Sequence, residues 1–503
     1  MYKRKFSLNI LRLSILVLSI ISLSACAKSD TEEAALQFDA LTALSTYLPP
    51  TVVPGAPIVT PTPDVPHSVP PLFEDGDTYI VQPNDTLADI AWKYDLSMQL
   101  LAQHNGIGDR DYLEVGQKIR IPKPSNLPLG PDFKIIPDSE LVNSPSALTF
   151  NTQQFLQTQN SYLGRYQETI GDKVFQGAEI IDRVSRENSV HPRILLAVLE
   201  YQSHWVTQPI PDETSLDFPI RFKDPNRMGL YKQLSWAADQ LNLGFYLWQI
   251  NAVNRWTLID GTVIAINPVI NAGTAGVQQM MSKLYAKDKW HEAVNYHGVM
   301  DAYINLFGYP FLQGIEPLMP DNLLQPALQL PFEPGVQWYF TGGPHGGWGN
   351  GSAWAALDFA PSGEGEGCTQ SDAWVTAVAS GRILFTGNGL VIQDLERDGF
   401  EQIGWSIIYM HIESRDRILA GTDVQAGDRI GHPSCEGGVS TGTHVHIARK
   451  YNGVWIAADG SLPFEADGWI SKGDGNLYDG ALIKGNQIVE AWDSRKNENQ
   501  ISR

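Results

Sequence analysis

The spacing of apolar and polar positions first defines a small unit near the N-terminus. Residues 78–82 alternate between apolar and polar side chains, which is typical of a short strand. Apolar residues then recur on one face of a predicted helix over residues 86–94, for which Asp85 is the expected N-cap. Ser97 can cap a second helix, and residues 116–122 predict a closing strand. The pattern therefore predicts a compact βααβ module.

The rest of the chain separates into regions of different character. Within residues 27–76, proline recurs between positions 49 and 71, which favours a semi-extended linker over a folded unit. Residues 145–325 carry apolar positions at helical spacing and predict an α-helical domain. Residues 330–475 are rich in glycine and in strand-like stretches, and residues 476–503 follow as a C-terminal extension. A chain of 503 residues has room for the several domains that these boundaries define.

The N-terminus has the organisation of a secretory signal. Basic residues at positions 3–5 precede an apolar run over roughly residues 11–23, which is too short and wrongly flanked for a transmembrane helix. The sequence Leu-Ser-Ala-Cys at positions 23–26 resembles a bacterial lipobox, which implies cleavage before Cys26 and lipidation of its sulfur. Residues 1–26 are therefore interpreted as a lipoprotein signal peptide, with an ordinary signal peptide and a chance cysteine as the alternative. We expect an extracytoplasmic protein that is lipid-anchored to the cell membrane.

The net charge limits the class of binding partner, and the cysteine content indicates whether the cysteines pair. A formal net charge of −20 argues against a nucleic-acid partner. With Cys26 lipidated, Cys368 and Cys435 remain, and an even pair in an extracytoplasmic domain predicts a disulfide. The closed loop would span 435 − 368 = 67 residues, for which chain entropy predicts a stabilisation of about 4 kcal/mol. Zinc ligation by Cys435 is a disfavoured alternative.

Histidines toward the C-terminus are the strongest candidates for metal-binding and catalytic residues. His444 and His446 stand two apart in a strand-like stretch, and side chains at i and i+2 point to the same face of a strand. Two nitrogens and one carboxylate oxygen, here from Asp358, with a fourth position open, are typical of a catalytic zinc site. His345 and His411 complete the set of candidates. The alternative is that these are ordinary structural histidines among the 11 in the chain.

Five short motifs follow one another over roughly residues 335–470. They are Ala-Leu-Asp-Phe-Ala at 356–360, Val-Ala-Ser-Gly at 378–381, Tyr-Met-His at 409–411, Ala-Gly-Asp-Arg-Ile-Gly at 426–431 and Ser-Thr-Gly-Thr-His-Val-His at 440–446. These motifs resemble those of LytM/lysostaphin-type metallopeptidases, which cut peptide bonds in peptidoglycan. The resemblance implies an antiparallel all-β domain that binds Zn²⁺, with Asp358 and His446 as zinc ligands and His411 and His444 in catalysis.

One departure from that family concerns the first ligand. The common form is His-x-x-x-Asp, but Trp354 stands four residues before Asp358. The nearest upstream histidine is His345, thirteen residues away in a Gly-Gly-Pro-His-Gly-Gly sequence. This long spacing is similar to the β-lytic and staphylolysin branch of the family, and it implies that His345 is a zinc ligand that comes from a loop. His432 is the reserve candidate, although its place before Pro433 predicts a surface turn.

The ligand set implies the chemistry of a zinc hydrolase. Zinc makes hydroxide available near neutral pH and polarises the scissile carbonyl. His411 or His444 would move the proton and stabilise the developing oxyanion, since imidazole titrates near the working pH, and the residues leave open which of the two is the base. The glycine-rich surroundings suit a Gly- or Ala-containing cross-bridge, although turns explain these glycines equally well.

The predicted βααβ module, residues 77–123, closely resembles a LysM module. The matching stretches are Tyr-Ile-Val-Gln-Pro-Asn-Asp-Thr-Leu at 79–87, Ala-Gln-His-Asn at 102–105 and Leu-Glu-Val-Gly-Gln-Lys-Ile-Arg-Ile-Pro at 113–122. That family binds N-acetylglucosamine-containing glycans in a shallow groove. The resemblances together imply peptidoglycan as the partner, through its glycan and through its stem and cross-bridge peptides.

The helical region, residues 145–325, is loosely similar to lysozyme-like lytic transglycosylases. In that family a catalytic glutamate directly precedes a serine, but here Gln202 precedes Ser203, and an amide cannot act as a general acid. Glu200 lies two residues earlier, which is about 200° round a helix, and so points elsewhere. The favoured interpretation is a lysozyme-like helical domain without catalytic activity.

Two functions of different classes remain. The first is a cell-wall zinc endopeptidase that hydrolyses peptide bonds in peptidoglycan cross-links and is targeted by the LysM module. The second is a non-catalytic peptidoglycan-binding scaffold, which would follow if Trp354 marked a degenerate peptidase site. The presence of Asp358, His411, His444 and His446 favours the enzyme, because a decayed site has no reason to keep all of them.

Overall fold

The computed structural model describes His67 and residues 73–503, apart from residues 84, 109–112, 125–126, 364 and 366. The predicted signal peptide, the lipidation of Cys26 and nearly all of the predicted linker lie outside these described residues and stay predictions. Within the described part of the chain, no helix is both long and apolar enough to cross a membrane.

The first folded unit has the predicted βααβ order. It consists of β1 (Phe73–Ile80), α1 (Leu87–Lys93), α2 (Met98–Asn105) and β2 (Lys118–Pro124), and its two strands pair in antiparallel fashion. It has a hydrophobic core of its own, formed by Val81, Ile90, Ala91, Leu101, Ile119 and Ile121. Because the unit buries these residues among themselves, it has the character of a separate domain.

The N-cap of α1 differs from the predicted one. Thr86, and not Asp85, caps the helix: its hydroxyl accepts the backbone N–H of Asp89, and the Asp89 carboxylate accepts the N–H of Thr86, which completes a capping box. The Asp85 carboxylate instead accepts the hydroxyl of Tyr79 at 2.7 Å and stabilises the turn before the helix. The predicted cap of α2 is confirmed, since the Ser97 side chain accepts a backbone N–H of its first turn.

The middle of the chain is predominantly helical, as its periodicity predicts. Its α-helices are α3 (Thr152–Gln157), α4 (Gly177–Asn188), α5 (Pro192–Ser203), α6 (Leu230–Gln249), α7 (Ala272–Ser282), α8 (Lys287–Ala293) and α9 (Asp301–Phe307), with a π-helical turn over Tyr296–Met300. Two short hairpins are formed by β3 (Gln167–Ile170) with β4 (Lys173–Gln176) and by β5 (Arg255–Thr257) with β6 (Val263–Ala265). The longest helix, α6, packs against α4 and α7 at the centre of this domain.

Short 3₁₀ turns connect several of these elements. They cover Asp138–Glu140, Pro145–Thr149, Leu163–Arg165, Glu213–Ser215, Pro225–Arg227, Pro310–Leu312 and, near the C-terminus, Asn497–Asn499.

The C-terminal part of the chain is an antiparallel all-β domain. Its strands are β7 (Gln337–His345), β8 (Ala356–Pro361), β9 (Val375–Thr376), β10 (Gly381–Gly387), β11 (Leu390–Asp394), β12 (Trp405–Met410), β13 (Asp423–Val424), β14 (Arg429–Gly431), β15 (Val445–Tyr451), β16 (Val454–Trp455), β17 (Glu465–Ala466), β18 (Trp469–Lys472), β19 (Ala481–Lys484), β20 (Gln487–Glu490) and β21 (Gln500–Ser502).

A nine-stranded antiparallel sheet organises this domain. Its order is β13-β10-β11-β12-β15-β8-β7-β21, and β16 pairs with β15. A four-stranded sheet, β17-β18-β19-β20, and the pair β9-β14 complete the domain. Residues 476–503, interpreted above as an extension, contribute β19, β20 and β21. They are therefore an integral part of the β domain.

The two faces of the large sheet pack against different partners. Along β12, Ile407 belongs to a core formed within the β domain, whereas its neighbour Ile408 belongs to a core shared with the helical domain. This alternation follows from strand geometry, in which successive side chains point to opposite faces. On β15, Ala448 lies on the helical-domain side, and His446, two residues earlier, has the same orientation. The helical domain and the histidine pair therefore share one face of the sheet.

Candidate metal centre

Three side chains from adjacent strands converge on this face of the sheet. His345 is the last residue of β7, Asp358 lies in β8 and His446 lies in β15, and β8 stands between the other two strands. Asp358 is directly opposite His446 in the strand register. One ligand atom from each residue lies within 4.8 Å of the other two, and all three residues are buried.

The separations within the cluster fit a single small cation. His345 Nε2 lies 3.0 Å from His446 Nδ1. Asp358 Oδ1 lies 3.3 Å from His345 Nε2 and 3.2 Å from His446 Nδ1. Ligand atoms around a tetrahedral zinc ion at its usual bond lengths stand about 3.3 Å apart. The triangle therefore has the dimensions of one face of a tetrahedral metal site.

Hydrogen bonds on the outer side of each imidazole determine which nitrogen faces the cluster. His345 Nδ1 lies 2.8 Å from the Gly343 carbonyl oxygen, and His446 Nε2 lies 3.2 Å from that of Gly347. A carbonyl only accepts, so these outer nitrogens donate their protons and the inner nitrogens present lone pairs. Asp358 Oδ1 is buried and has no hydrogen-bond donor among the described residues. Two lone pairs and a carboxylate oxygen repel one another unless a cation lies between them, so these residues fit a bound metal.

The electrostatics of the cluster agree with this interpretation. Burial raises the pKa of Asp358, but the facing imidazoles outweigh burial and hold that pKa well below its ordinary value. Burial lowers the pKa of His345, and the neighbouring Asp358 carboxylate more than offsets this effect, so the pKa is raised. The carboxylate is therefore ionised, and it favours positive charge at the centre of the cluster.

His345 reaches the cluster from a strand and not from the expected loop. It ends β7, which pairs with β8, and the register of this pair is irregular on both sides of Gly342. Irregularities of this kind bend a strand and redirect its side chains, which accounts for the approach of His345 to Asp358. Trp354, which stands at the usual ligand position in the sequence, is not part of the cluster.

The two predicted catalytic histidines stand beside the three candidate ligands. His444 Nε2 lies 3.7 Å from Asp358 Oδ1, and the ring centroids of His411 and His444 are 4.5 Å apart. His411 Nδ1 lies 2.9 Å from the Glu436 carbonyl oxygen, and His444 Nδ1 lies 2.8 Å from that of Gly442. Both rings therefore carry a proton on Nδ1 and keep a lone pair on Nε2. Burial, reinforced by the neighbouring histidines, lowers the pKa of His411 well below its ordinary value, so this ring is neutral.

The predicted disulfide between Cys368 and Cys435 is confirmed, with Cα atoms 5.7 Å apart. It joins the two loops that hold the predicted catalytic histidines. The carbonyl of the residue after Cys435 accepts a hydrogen bond from His411. The carbonyl of the residue before Cys368 accepts the N–H of the residue before His444. The bridge thus connects the supports of both imidazoles.

His432, the reserve ligand, lies away from the cluster. Its Nδ1 is 2.8 Å from the Ala373 carbonyl oxygen, and its ring packs on Trp374 with the centroids 3.9 Å apart. The side chain is buried, so the prediction of a surface turn is wrong. The reason is the pairing of β9 with β14, which brings Trp374 over the residue that follows β14.

The sequence motifs miss one residue of the site. The ring of Tyr478 stacks on that of His345, with the centroids 4.3 Å apart and the planes inclined by 24°. The Tyr478 carbonyl accepts the N–H of Gly343 at 2.7 Å, which attaches this segment to the strand that carries His345. A lone tyrosine outside every motif carries no sequence signal, so only the fold associates it with the cluster.

The two residues that were compared with the transglycosylase pattern, Glu200 and Gln202, are engaged in structural hydrogen bonds. The Glu200 carboxylate accepts the backbone N–H groups of Val206 and Thr207 at 3.1 Å each. Gln202 Oε1 accepts the hydroxyl of Tyr285 at 2.6 Å. Both side chains are buried within the helical domain. Glu200 therefore stabilises the turn after α5, as expected of a glutamate that does not face a substrate.

Comparisons with known proteins match different parts of the chain. The family described as LasA, N-terminal domain, matches residues 134–319, and the LysM domain family matches residues 79–122. Protease LasA of Pseudomonas aeruginosa (strain UCBPP-PA14) is 24% identical over 345 residues, which cover 63% of this chain and 76% of that protein. Beta-lytic metalloendopeptidase of Achromobacter lyticus is 31% identical over 160 residues, which cover 30% of this chain and 40% of that protein.

One solved structure similar to this chain is titled a novel M23 metalloprotease, pseudoalterin, from the deep sea. It is 23% identical, and the match covers 36% of this chain and 99% of that one, with a TM-score of 0.28.

An antiparallel sheet that presents two imidazoles and a carboxylate with the spacing and tautomers of cation ligands has the metal-binding arrangement that a metallopeptidase requires. The curated relatives carry protease and metalloendopeptidase names, which agree with this class. The chain is accordingly similar to protease LasA and to beta-lytic metalloendopeptidase, and its residues 79–122 match the LysM domain family. Its helical middle matches the LasA N-terminal domain, and the likeness of that domain to lysozyme stays a prediction.

Proposed function

We propose that this chain is a cell-wall zinc endopeptidase that hydrolyses peptide bonds in peptidoglycan cross-links. The observation that carries the proposal is the triangle of His345, Asp358 and His446, whose ligand atoms lie within 4.8 Å of one another. Zinc is the metal that best suits two imidazole nitrogens and one carboxylate oxygen in tetrahedral dimensions. The names of protease LasA and beta-lytic metalloendopeptidase, together with the LysM module, support a peptidase that acts at the cell wall.

The proposed chemistry divides between the metal and the two flanking histidines. Zinc, when bound, supplies the Lewis acidity that activates a water molecule and polarises the scissile carbonyl. His411 and His444 each keep a lone pair on Nε2, so each can take a proton there and return it to the leaving amine. His444 Nε2 lies 3.7 Å from Asp358 Oδ1, so this ring stands directly beside the proposed ligands. The proposed roles are therefore ligands for His345, Asp358 and His446, and proton transfer for His411 and His444.

The proposed targeting rests on the N-terminal parts of the chain. The LysM module has its own core, and it exposes large apolar side chains, among them Trp92 at 86% and Met98 at 55% of their surface. Exposed apolar groups on a small module are typical of a binding surface, and a glycan strand is the partner that a LysM module implies. Lipidation at Cys26 would hold the protein at the membrane, with the proline-rich linker extending toward the wall.

The alternative of a non-catalytic scaffold depends on a degenerate ligand position. Trp354 indeed offers no metal ligand, but His345 Nε2 lies 3.3 Å from Asp358 Oδ1 and replaces it. The cluster is therefore complete without a ligand at position 354, which favours the enzyme over the scaffold.

Digestion of purified peptidoglycan, followed by zymography and mass spectrometry of the fragments, tests the proposal. We expect new amino termini within cross-link peptides and glycan chains of unchanged length. The matched control is His446→Ala, which removes one ligand and should leave the sacculi intact. Fragments that are shortened only in their glycan chains would contradict the proposal.

A further inference from the structure

The metal cluster depends on the segment that joins β7 to β8. We call residues 346–355 the β7–β8 loop. The carbonyl oxygen of Gly347 in this loop lies 3.2 Å from His446 Nε2. This hydrogen bond determines the tautomer of His446 and the orientation of its ring, as outer hydrogen bonds of metal-binding histidines do. Whatever holds Gly347 in place therefore also holds His446.

The β7–β8 loop is braced internally. The N–H of Gly347 donates to the Ala353 carbonyl at 3.0 Å, and the N–H of Trp348 donates to the Ser352 hydroxyl at 2.9 Å. These bonds connect the first half of the loop to the second half. A displacement near residue 351 is therefore transmitted to Gly347.

Helix α6 of the helical domain holds the tip of this loop through Asp239. The N–H of Gly351 donates to Asp239 Oδ1 at 2.7 Å, and the backbone N–H of Asn350 also hydrogen-bonds to the Asp239 carboxylate. A Cβ atom on Gly351 would lie 1.8 Å from the Asp239 carbonyl oxygen, so the loop and the helix approach each other as closely as a glycine allows. The two domains are therefore in direct contact at the tip of the loop.

A second contact reaches the loop through Trp455. A Cβ atom on Gly347 would lie 2.5 Å from Cε3 of this indole, so the ring lies directly against the loop. The Trp455 backbone N–H donates to the Tyr246 hydroxyl at 2.9 Å, and its indole N–H donates to the Asn188 carbonyl at 3.3 Å. Tyr246 and Asn188 belong to α6 and α4 of the helical domain. The helical domain thus contacts the loop directly through α6 and supports Gly347 through the indole.

We infer that Asp239 is a positioning residue for the metal centre, which acts through the β7–β8 loop and the Gly347 carbonyl on the orientation of His446. The helical domain is then part of the support of the metal site and not only a spacer between the LysM module and the peptidase domain. This inference rests on the proposed zinc site and adds a role for α6 to it.

The zinc affinity of the full chain, measured by competition with a chromophoric chelator, tests the inference. Asp239→Ala removes the acceptor for the loop and should weaken zinc binding about tenfold, at the low end of the effects known for residues around metal ligands. Asp239→Asn keeps an oxygen where Oδ1 lies and should bind zinc nearly as the unchanged protein does. The matched control is Asp182→Ala, since Asp182 is a carboxylate on α4 that accepts the Thr152 hydroxyl inside the same domain.

The comparison of these variants distinguishes a positioning role of Asp239 from a general loss of protein stability. Equal zinc affinity in Asp239→Ala and the unchanged protein would overturn the inference, as would an equal loss in Asp182→Ala. Should Asp239→Ala fail to fold, Gly351→Ala tests the same contact from the loop side and should also weaken zinc binding. Hydrogen–deuterium exchange over residues 346–355 should be faster in Asp239→Ala than in Asp239→Asn. An unchanged protein that binds no zinc would instead contradict the proposed function, so the two failures are distinguishable.

Discussion

His345 Nε2 lies 3.3 Å from Asp358 Oδ1, although the two residues stand thirteen positions apart in the chain. The antiparallel pairing of β7 with β8 brings them together, and the β7–β8 loop accommodates the intervening residues. The position of such a ligand is determined by strand pairing and not by residue spacing along one strand. The removal of His345 is therefore the most direct test of the cluster.

We expect His345→Ala to lose its zinc and its activity together, because two of three protein ligands leave a weak and open site. His446→Ala should behave in the same way. Metal content measured by inductively coupled plasma mass spectrometry, alongside cleavage of a soluble cross-link peptide, checks both variants. Stoichiometric zinc in either variant would show that other residues hold the metal.

We expect His411→Ala to keep its zinc and to lose activity by about 10²–10⁴-fold, the usual contribution of a group that transfers a proton. Its ring stands beside that of His444, at a centroid distance of 4.5 Å, and outside the ligand triangle. The same metal analysis and peptide assay apply. A loss of zinc in this variant would place His411 among the ligands and contradict its proposed role.

Deletion of residues 77–123 should weaken retention on cell-wall sacculi and leave cleavage of a soluble peptide unchanged. The reason is that the module has a separate core and that none of its residues belongs to the metal cluster. Sedimentation of the protein with sacculi measures retention. If the deleted chain is retained as well as the full chain, the LysM module is not the targeting element.

Replacement of both cysteines, Cys368→Ser with Cys435→Ser, should lower stability by up to about 4 kcal/mol, since the bridge closes a long loop. Activity should fall as well, because the bridge connects the loops that hold His411 and His444. Zinc content should stay unchanged, since neither cysteine is in the ligand triangle. Thermal unfolding, the peptide assay and metal analysis measure the three quantities. Full activity in the double variant would mean that these loops keep their shape without the bridge.

The helical domain should lose stability in mild acid because of His191. This residue is buried at the N-cap of α5, and burial lowers its pKa from 6.5 to about 4, although the nearby Glu140 carboxylate offsets part of this effect. Between these values the unfolded chain binds a proton that the folded chain does not, so stability falls as the pH falls. We expect His191 to account for a loss of about 2–3 kcal/mol between pH 7.5 and pH 4.5.

The matched variant for this prediction is His191→Asn. Asparagine is a good N-cap and can accept the same N–H, from Arg193, but it does not titrate. Urea unfolding at the two pH values should show a smaller loss in the variant than in the unchanged protein. An identical pH dependence in both proteins would exclude His191 as the source.

Local patterns were enough to predict several parts of this protein. The βααβ module follows from apolar spacing and capping residues within about fifty positions, and the structure has that order. His444 and His446 share a face because a strand alternates its side chains, and both imidazoles stand within 3.7 Å of Asp358 Oδ1. The cysteine count predicted the disulfide. These features depend on short-range geometry or on simple pairing, which the order of residues expresses directly.

Long-range packing decided the rest. His345 ends a strand because β7 pairs with β8, and Tyr478 reaches the site because its carbonyl accepts the N–H of Gly343 in β7. The Asp239 contact with the loop exists because the helical domain covers one face of the sheet. Hydrogen bonds and buried surface between segments distant in the chain determine these positions. The free energy of these contacts depends on which segments meet, and the local sequence of each segment does not encode its partner.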